Sequence, residues 1–357
     1  MKKQINVTVA TGIHEMGGVA TVLNVLNGGF FQKWNMRHVT THTNTTRIFG
    51  FNKLALFASA IIKLVYYLTF YRVGVVHIHM SSRGSYTRKL IIVRLAKLFN
   101  ANVILHLHGA EFQEFYSNES STEKQAHIRD TFDLADAVIV LSTQWLSWVK
   151  TITKAPEKAR VVYNAVETLV LDRSGVEQGL ILFMGRLGER KGVKDLINAF
   201  AIVVKELPHA RLALGGDGDL PSFKQQVEKL GISDCVDFLG WVAGEQKHVW
   251  LSKADVYCLP SYNEGFPMGV LEAMSANIPV IASTAGGIPD AIEHNVDGLL
   301  VEAGDIETLA SYLKIMICDR ALNKLFATTA KKKFVNNFSK KAVFPELDKI
   351  YMELISK

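Results

Sequence analysis

The stretch "SYNEGFPMGVLEAM", residues 261–274, sets Glu264 and Glu272 on either side of Pro267 and Gly269. Pro267 suits the first position of a helix, where its missing N–H is no loss. The amides of Met268, Gly269 and Val270 then have no acceptor within their own helix. They are free to point at an anion, and Gly269 leaves room for a phosphate to come close. Glu272, about one and a half turns in, falls within reach of a ribose diol, while Glu264 hangs from the loop before the helix. Each glutamate also has an ordinary explanation, because an acid near a helix start is favoured by the helix dipole. A two-carboxylate magnesium site fits less well: Mg²⁺ keeps company with phosphates and further acids, and neighbouring acids are lacking here.

Outward from this stretch, short β-branched runs alternate with longer helical patterns, which predicts parallel sheets flanked by helices. The first half offers "INVTVA", "VVHIHM", "NVILHLHG", "AVIVLS" and "ARVVYNAV"; the second offers "LILFMG", "RLALGG", "VDFLG", "DVYCLP" and "PVIAS". The chain therefore reads as α/β, two Rossmann-like domains in series. With 357 residues and roughly 100–200 residues to a domain, two domains facing a cleft are expected. The segment 169–179 has turn formers and no apolar period, which puts the boundary at 172, with domains 1–172 and 173–357. Cys235, Cys258 and Cys318 lie far apart, suggesting neither disulfides nor zinc and favouring a reducing cytosol. Lys2 and Lys3 imitate a signal peptide, but the apolar run after them is short and leads to Gly12, His14 and Glu15. The N-terminus is read as mature structure.

Three glycine-bearing loops follow strands. In "GRLGERKG" (185–192), Arg186 and Lys191 can converge on a diphosphate, the first by its planar fork and the second as a point charge; a solvated turn is the plain alternative. "GGDGDL" (215–220) is explained equally well by turn chemistry. "MGGVATVL" (16–23) opens a helix at Gly17 and Gly18, where an anion or a mere tight turn would fit. None has the spacing of a dinucleotide fingerprint or a Walker loop, which argues against a dehydrogenase and a P-loop enzyme.

Taken together, "EGFPMGVLE" preceded by "ADVYCLPS", followed by "PVIASTAGGIPDAIEHNVDGLLVEAGD", with "GRLGERKG" and "VDFLGWV" upstream, resembles the family 4 glycosyltransferases of the GT-B fold. The likeness is close over 180–305 and looser in the first half, through "GGVATVL", "HLHGAEF", "VLS" and "VVYNAVE". The resemblance implies a metal-independent, cofactor-free, retaining transferase with a nucleotide-sugar as co-substrate. It implies that Glu272 holds the ribose, that Glu264 contacts the donor sugar, and that Arg186 and Lys191 neutralise the leaving diphosphate. Gly265, Phe266, Met268, Gly269 and Val270 would line the donor, Gly17 and Gly18 would admit the donor phosphates and acceptor, and His108 would face the sugar. It further implies that a final helix, about 342–356, crosses back to the first domain. Fixed cations and helix amides at the leaving group would act where charge develops, and domain closure would exclude water. The sequence departs from the pattern at Asp290, where the family commonly has Glu, and in the loop 108–121, which would line the acceptor side.

Residues 1–110 carry thirteen Lys and Arg against one acid, Glu15, a net +12 that leaves −6 for the rest. One face is expected to meet something anionic. No aromatic-interleaved RNA motif or helix-turn-helix pattern accompanies the charge, so nucleic acid is not expected. The apolar segment 53–72 approaches the length of a membrane span, about 20 residues, but Lys63 in its middle favours a buried helix or one lying on a membrane surface with Lys53, Lys63 and Arg72 at the headgroups. Arg83, Arg88 and Lys89 form either a solvated run or a site for the pyrophosphate of a lipid-linked acceptor. His77 with His79, and His106 with His108, share strand faces; with no third positioned ligand, packed strand-end histidines are preferred to a metal site.

The expected function is transfer of a hexose from a UDP- or GDP-sugar to a hydroxyl of a lipid-linked saccharide. The setting would be surface polysaccharide synthesis (lipopolysaccharide O-antigen, capsule or exopolysaccharide), at the cytosolic face of an anionic inner membrane. A GT-B enzyme making a soluble glycoside, and a non-catalytic binder of nucleotide-sugars or anionic polymers, are the alternatives.

Overall fold

The computed structural model describes residues 3–13, 15–43 and 50–356; His14 of the expected strand exit lies outside them. Strands buried on both faces read as near-continuous apolar runs, and such runs become two parallel sheets. The first contains β1 (Gln4–Thr11), β2 (Met36–His42), β3 (Arg72–Met80), β4 (Asn102–Leu107), β5 (Ala137–Val140) and β6 (Ala159–Val161), in the order β2-β1-β3-β4-β5-β6. The second contains β7 (Leu180–Met184), β8 (Arg211–Gly215), β9 (Val236–Gly240), β10 (Val256–Leu259), β11 (Val280–Ser283) and β12 (Leu299–Val301), in the order β12-β11-β10-β7-β8-β9. All ten expected strands are present. The two not expected, β2 and β12, each close one edge of a sheet. "MRHVTTH" is half exposed and "LLV" only three residues long, so neither carries the apolar run that marks a central strand.

The chain divides into two compact units, residues 1–165 with 340–357, and 166–339. The division precedes the boundary expected at 172 because residues 166–169 already lie on the second unit. Val166 pairs with Ser339, and the Leu169 amide donates to Ser275 Oγ, which itself donates to Glu167 O. The final helix, Lys340–Ile355, belongs to the first unit. Asp348 accepts from Lys33 and from Trp34 Nε1, both at 2.6 Å, Arg160 grips Glu353 by two bonds, and Asn102 donates to Leu354 O.

In the first unit Ile5, Val7, Val9, Ile78, Val103 and Leu105 from the central strands form the core with Ala60, Leu64 and Leu68. The last three recur at every fourth position of the helix Gly50–Phe70, one stripe of a helix surface. That stripe seats the helix on the sheet, and Lys63 Nζ ties it to His38 O of β2 at 3.0 Å. Its outer side exposes Leu54, Ile62, Tyr66 and Phe70. The span Lys53–Phe70 is long and apolar enough to cross a membrane by length and composition, with only 17% of it buried.

Candidate active site

Open parallel sheets place ligands beyond the carboxyl ends of the strands where the strand order reverses. In the second unit the reversal lies between β7 and β10, with β8 and β9 on one side and β11 and β12 on the other. The loops leaving these two strands are "GRLGERKG" and "SYNEGFP". They are stitched together: the Tyr262 amide donates to Arg190 O, Arg190 Nη1 donates to Asn263 O, and the Gly287 amide, from the loop after β11, donates to Gly265 O. Gly192 takes φ +67° and passes so close to Pro260 that a Cβ would lie 2.0 Å from the Pro260 carbonyl oxygen. Only glycine fits that crossing.

Within this frame Lys191 Nζ lies 2.5 Å from Glu264 Oε1, and Ser261 Oγ donates to the same oxygen at 2.7 Å. The lysine and carboxylate side chains are 16% and 6% exposed. Glu264 is thus a buried carboxylate with two donors on one oxygen, as burial of a charge requires. The helix opens at Met268, one residue later than a Pro267 first position would give, with Pro267 as its uncapped N-terminal residue. The first intrahelical bond runs from the Leu271 amide to Pro267 O, so the amides of Met268, Gly269 and Val270 precede the bonded ladder. Gly269 abuts Tyr257, whose hydroxyl oxygen would lie 2.1 Å from an added Cβ. Tyr257 Oη donates to Met184 O at 3.1 Å, at the end of β7. Burial, with the Glu272 and Glu264 carboxylates behind it, pushes the Tyr257 hydroxyl well above its usual range, so it remains a donor and locks the helix start to the strand end.

Glu272, on the second turn, carries a partner that sequence reading missed: Lys247 Nζ, from the helix Gly244–Lys253, lies 2.5 Å from Glu272 Oε1. The helix 244–253 carries its apolar residues in one run, Val249, Trp250 and Leu251, of which only Leu251 is buried, and nothing in that pattern shows that Lys247 turns inward. Ser261 and Tyr257 were also missed as partners, although both sit within or beside the quoted stretch. Of the other expected residues, Arg186 is exposed and makes no hydrogen bond or ion pair among the described residues. The Phe266 ring is buried and packs on Phe338 at 5.4 Å between centroids, and the Val270 side chain is fully buried. Neither side chain is open to a ligand. Asp290 lies in the short helix Ile288–Ala291 after β11.

Two family models match consecutive parts of the chain: "Glycosyltransferase Family 4" over residues 8–168 and "Glycosyl transferases group 1" over 173–333. The chain belongs to the GT-B glycosyltransferases. Among curated relatives, an uncharacterized glycosyltransferase of Methanocaldococcus jannaschii, MJ1607, is 29% identical over 68% of this chain and 67% of its own length. The amylovoran biosynthesis glycosyltransferase AmsK of Erwinia amylovora is 28% identical over 66% of this chain and 59% of its own. Among solved structures, sucrose-phosphate synthase from Thermosynechococcus elongatus superimposes with a TM-score of 0.82 at 19% identity, covering 99% of this chain and 100% of that one. HepE of Anabaena, solved with UDP and glucose, gives a TM-score of 0.78 at 17% identity, covering 99% and 100%. At these identities the structural likeness concerns the fold, the two-unit GT-B architecture.

The first unit of this glycosyltransferase has its own reversal, between β1 and β3. Gly17 and Gly18 sit there, at the start of the helix Gly18–Asn27, Gly17 at φ +120°, with open space where a Cβ would stand on either. The basic stretch after β3 differs from expectation. Arg83 is held by Glu111 and by Glu119. Lys89 is wholly buried, with Nζ on Thr41 Oγ1 at 2.5 Å, and burial lowers its amine to about 7. Neither is free for a pyrophosphate.

His108 follows β4, and its amide donates to Met80 O. Register places His79 opposite His106, and the rings of His77, His79, His106 and His108 stack into one block, His77 on His79 at 4.4 Å and His106 on His108 at 4.1 Å. The third positioned histidine that the sequence failed to reveal is therefore present: ring nitrogens of His77, His79 and His106 lie within 4.8 Å of one another. Four of their six ring nitrogens are engaged, and His79 Nε2 and His106 Nε2 have no partner among the described residues. His77 Nε2 meets His106 Nδ1 at 3.1 Å, His77 Nδ1 meets Tyr351 Oη, and His79 Nδ1 meets His108 Nε2. Burial lowers all four, His77 and His108 to about 3. A hollow of about 620 Å³ lies elsewhere, lined by Gln4, Arg72 and Asn102 at the amino ends of β1, β3 and β4, the edge of the sheet remote from these groups.

Proposed function

We propose that this glycosyltransferase moves a hexose, with retention of configuration, from a UDP- or GDP-linked donor to a hydroxyl of a lipid-linked saccharide in surface polysaccharide synthesis. The observation that carries the donor half is the pair of lysine-bound carboxylates, Lys191–Glu264 and Lys247–Glu272, around the uncapped helix start at Met268. Transfer builds negative charge on the departing diphosphate. Lys191, tied to Glu264, and the amides of Met268, Gly269 and Val270 are assigned to that charge as preorganised cation and dipoles, and Arg186, exposed and unbonded among the described residues, as a cation that turns onto it. They do there what a metal would otherwise do, which is the basis for proposing metal independence. Glu264 and Glu272 accept from sugar and ribose hydroxyls, each already oriented by its lysine. Gly17, Gly18 and His108 of the first unit are assigned to the acceptor and donor sugar. A UDP donor accords with HepE, solved with UDP and glucose, and a polysaccharide product with AmsK, an amylovoran biosynthesis enzyme.

The membrane half rests on the outer face of the helix Gly50–Phe70. Leu54 and Ile62 are 67% and 70% exposed, Phe70 62%, and Lys53 and Arg72 stand exposed at the two ends. An apolar strip with flanking cations on a net +12 half is what binds anionic headgroups in the interface plane. Ala60, Leu64 and Leu68 hold the opposite stripe in the core, so the helix lies on a cytosolic membrane surface instead of crossing it. Lys63, donating to His38 O, serves the fold more than the headgroups.

The test is release of UDP or GDP from a panel of nucleotide-hexoses in the presence of a lipid-linked saccharide extract, with co-sedimentation on phosphatidylglycerol vesicles. Wild type is expected to turn over one donor and to sediment, Glu264→Gln to lose turnover alone, and Ile62→Asp with Phe70→Asp to lose sedimentation. Turnover confined to soluble acceptors, without sedimentation, would favour a soluble glycoside product.

A further inference from the structure

The histidine block fixes more than the position of His108. His79 Nδ1 lies 2.8 Å from His108 Nε2, while His79 Nε2 and His106 Nε2 are buried with no hydrogen-bond partner among the described residues. A neutral imidazole has one N–H and one lone pair, and a buried orphan N–H is the rarer and costlier of the two to leave unpaired. The proton of His79 therefore sits on Nδ1 and is donated to His108. The neighbouring chain obeys the same rule. With His106 Nε2 bare, His106 Nδ1–H donates to His77 Nε2 and His77 Nδ1–H donates to Tyr351 Oη, which leaves the Tyr351 proton for Met36 Sδ at 3.8 Å. Every donor in that chain then has an acceptor; the reverse order would bury an unmatched N–H at its end.

We infer that His79 is a positioning residue that holds His108 in the Nδ1–H tautomer, so that His108 presents a hydrogen-bond donor, and no base, to an oxygen of the ligand beyond β4. His108 Nε2 is already spent as an acceptor, and its other nitrogen carries the proton. Burial keeps the His108 ring neutral across the physiological range. The groups stacked against it, His79 and His106, are neutral for the same reason, and no carboxylate bonds to any of the four rings among the described residues. His108 can thus orient a sugar hydroxyl or a phosphate oxygen without taking up a proton from it. This rests on the functional reading only in naming that oxygen as the substrate's; the tautomer itself does not.

The experiment is long-range ¹H–¹⁵N correlation on the full chain labelled at histidine, with His108 assigned against His108→Gln, together with turnover and its pH profile. Wild type is expected to show His108 protonated at Nδ1, and kcat without a histidine inflection between about pH 5 and 8. His79→Asn, whose amide N–H stands where Nδ1–H stood, keeps that pattern. His79→Leu leaves His108 Nε2 a bare lone pair, which moves its ¹⁵N resonance away from the hydrogen-bonded value, and frees the ring to turn, which lowers kcat about tenfold, the worth of one oriented hydrogen bond, with the donor KM little changed. His108 protonated at Nε2 in the wild type overturns the inference. So does a His79→Leu protein whose His108 Nε2 resonance and kcat are those of the wild type. If His79→Leu does not fold, wild type against His79→Asn still decides the tautomer. If the His108 Nε2 resonance follows His79 but no nucleotide-sugar is turned over, the functional reading falls and the positioning role stands.

Discussion

Replacing Lys191 by Met removes one partner of an ion pair whose carboxylate is 6% exposed. Breaking a fully buried pair costs about 3–5 kcal/mol because the remaining charge is left uncompensated. Here Ser261 Oγ still donates to Glu264 Oε1, and Lys191 is 16% exposed and so partly solvated before it is lost. About 2–4 kcal/mol is therefore expected, which for a unit of this size lowers its unfolding midpoint by roughly 5–15 °C. Glu264→Gln alone costs less, since Lys191 can turn its amine to water. The double variant Lys191→Met/Glu264→Gln has no orphaned charge and returns to within about 1 kcal/mol of wild type, a coupling of the size seen for contacting groups. Turnover separates function from stability: all three variants lose it, including the stable double variant, because the leaving diphosphate has lost its cation or the sugar its carboxylate. Calorimetric unfolding and nucleotide-release assays on the four proteins give the cycle. Additive losses, or a Lys191→Met protein as stable as wild type, would refute the reasoning.

Two further outcomes follow from contacts within each unit. Gly269→Ala drives a methyl into the Tyr257 hydroxyl, and overpacking costs about 1–3 kcal/mol; Gly269→Ala/Tyr257→Phe should recover most of it, as thermal unfolding will show. Lys89, lowered by burial to about 7 against an unfolded value of 10.5, binds fewer protons folded than unfolded between those limits. Wild-type stability should therefore rise with pH from 7 toward 10, by up to about 1.4 kcal/mol per pH unit. Lys89→Met should lack that rise and be the more stable protein at pH 7; parallel denaturation curves at pH 7 and 9 check the sign.

Much of this was legible in the residues because it lies in short-range pattern. Central strands such as "LILFM" and "DVYCLP" are apolar on both faces and cannot be mistaken for helix once their length is weighed. The helix start is legible to within one residue from Pro267 and the glycines around it. What the sequence concealed depends on packing between distant segments. Lys247 reaches Glu272 only because its helix docks in one particular rotation, which a run of three adjacent apolar residues does not specify. Arg83 and Lys89 looked alike as basic residues after β3, yet one is drawn to Glu111 and Glu119 and the other is sealed against Thr41. The four histidines show their alternation in sequence, but that His79 faces His106 is a matter of register between β3 and β4. Of the edge strands, β6 and β9 were legible, while β2 stayed hidden because partial exposure dilutes its apolar signal and β12 because it is only three residues long.

Calorimetric titration of UDP- and GDP-hexoses into the wild-type chain and into Glu272→Ala tests the donor clamp most directly. The account predicts that wild type binds one nucleotide class, and that loss of the Glu272 carboxylate, worth about 1.5–3 kcal/mol as a charged acceptor, weakens it roughly 10- to 100-fold. Binding of equal strength to both proteins, or no binding of any nucleotide-sugar by wild type, would contradict it.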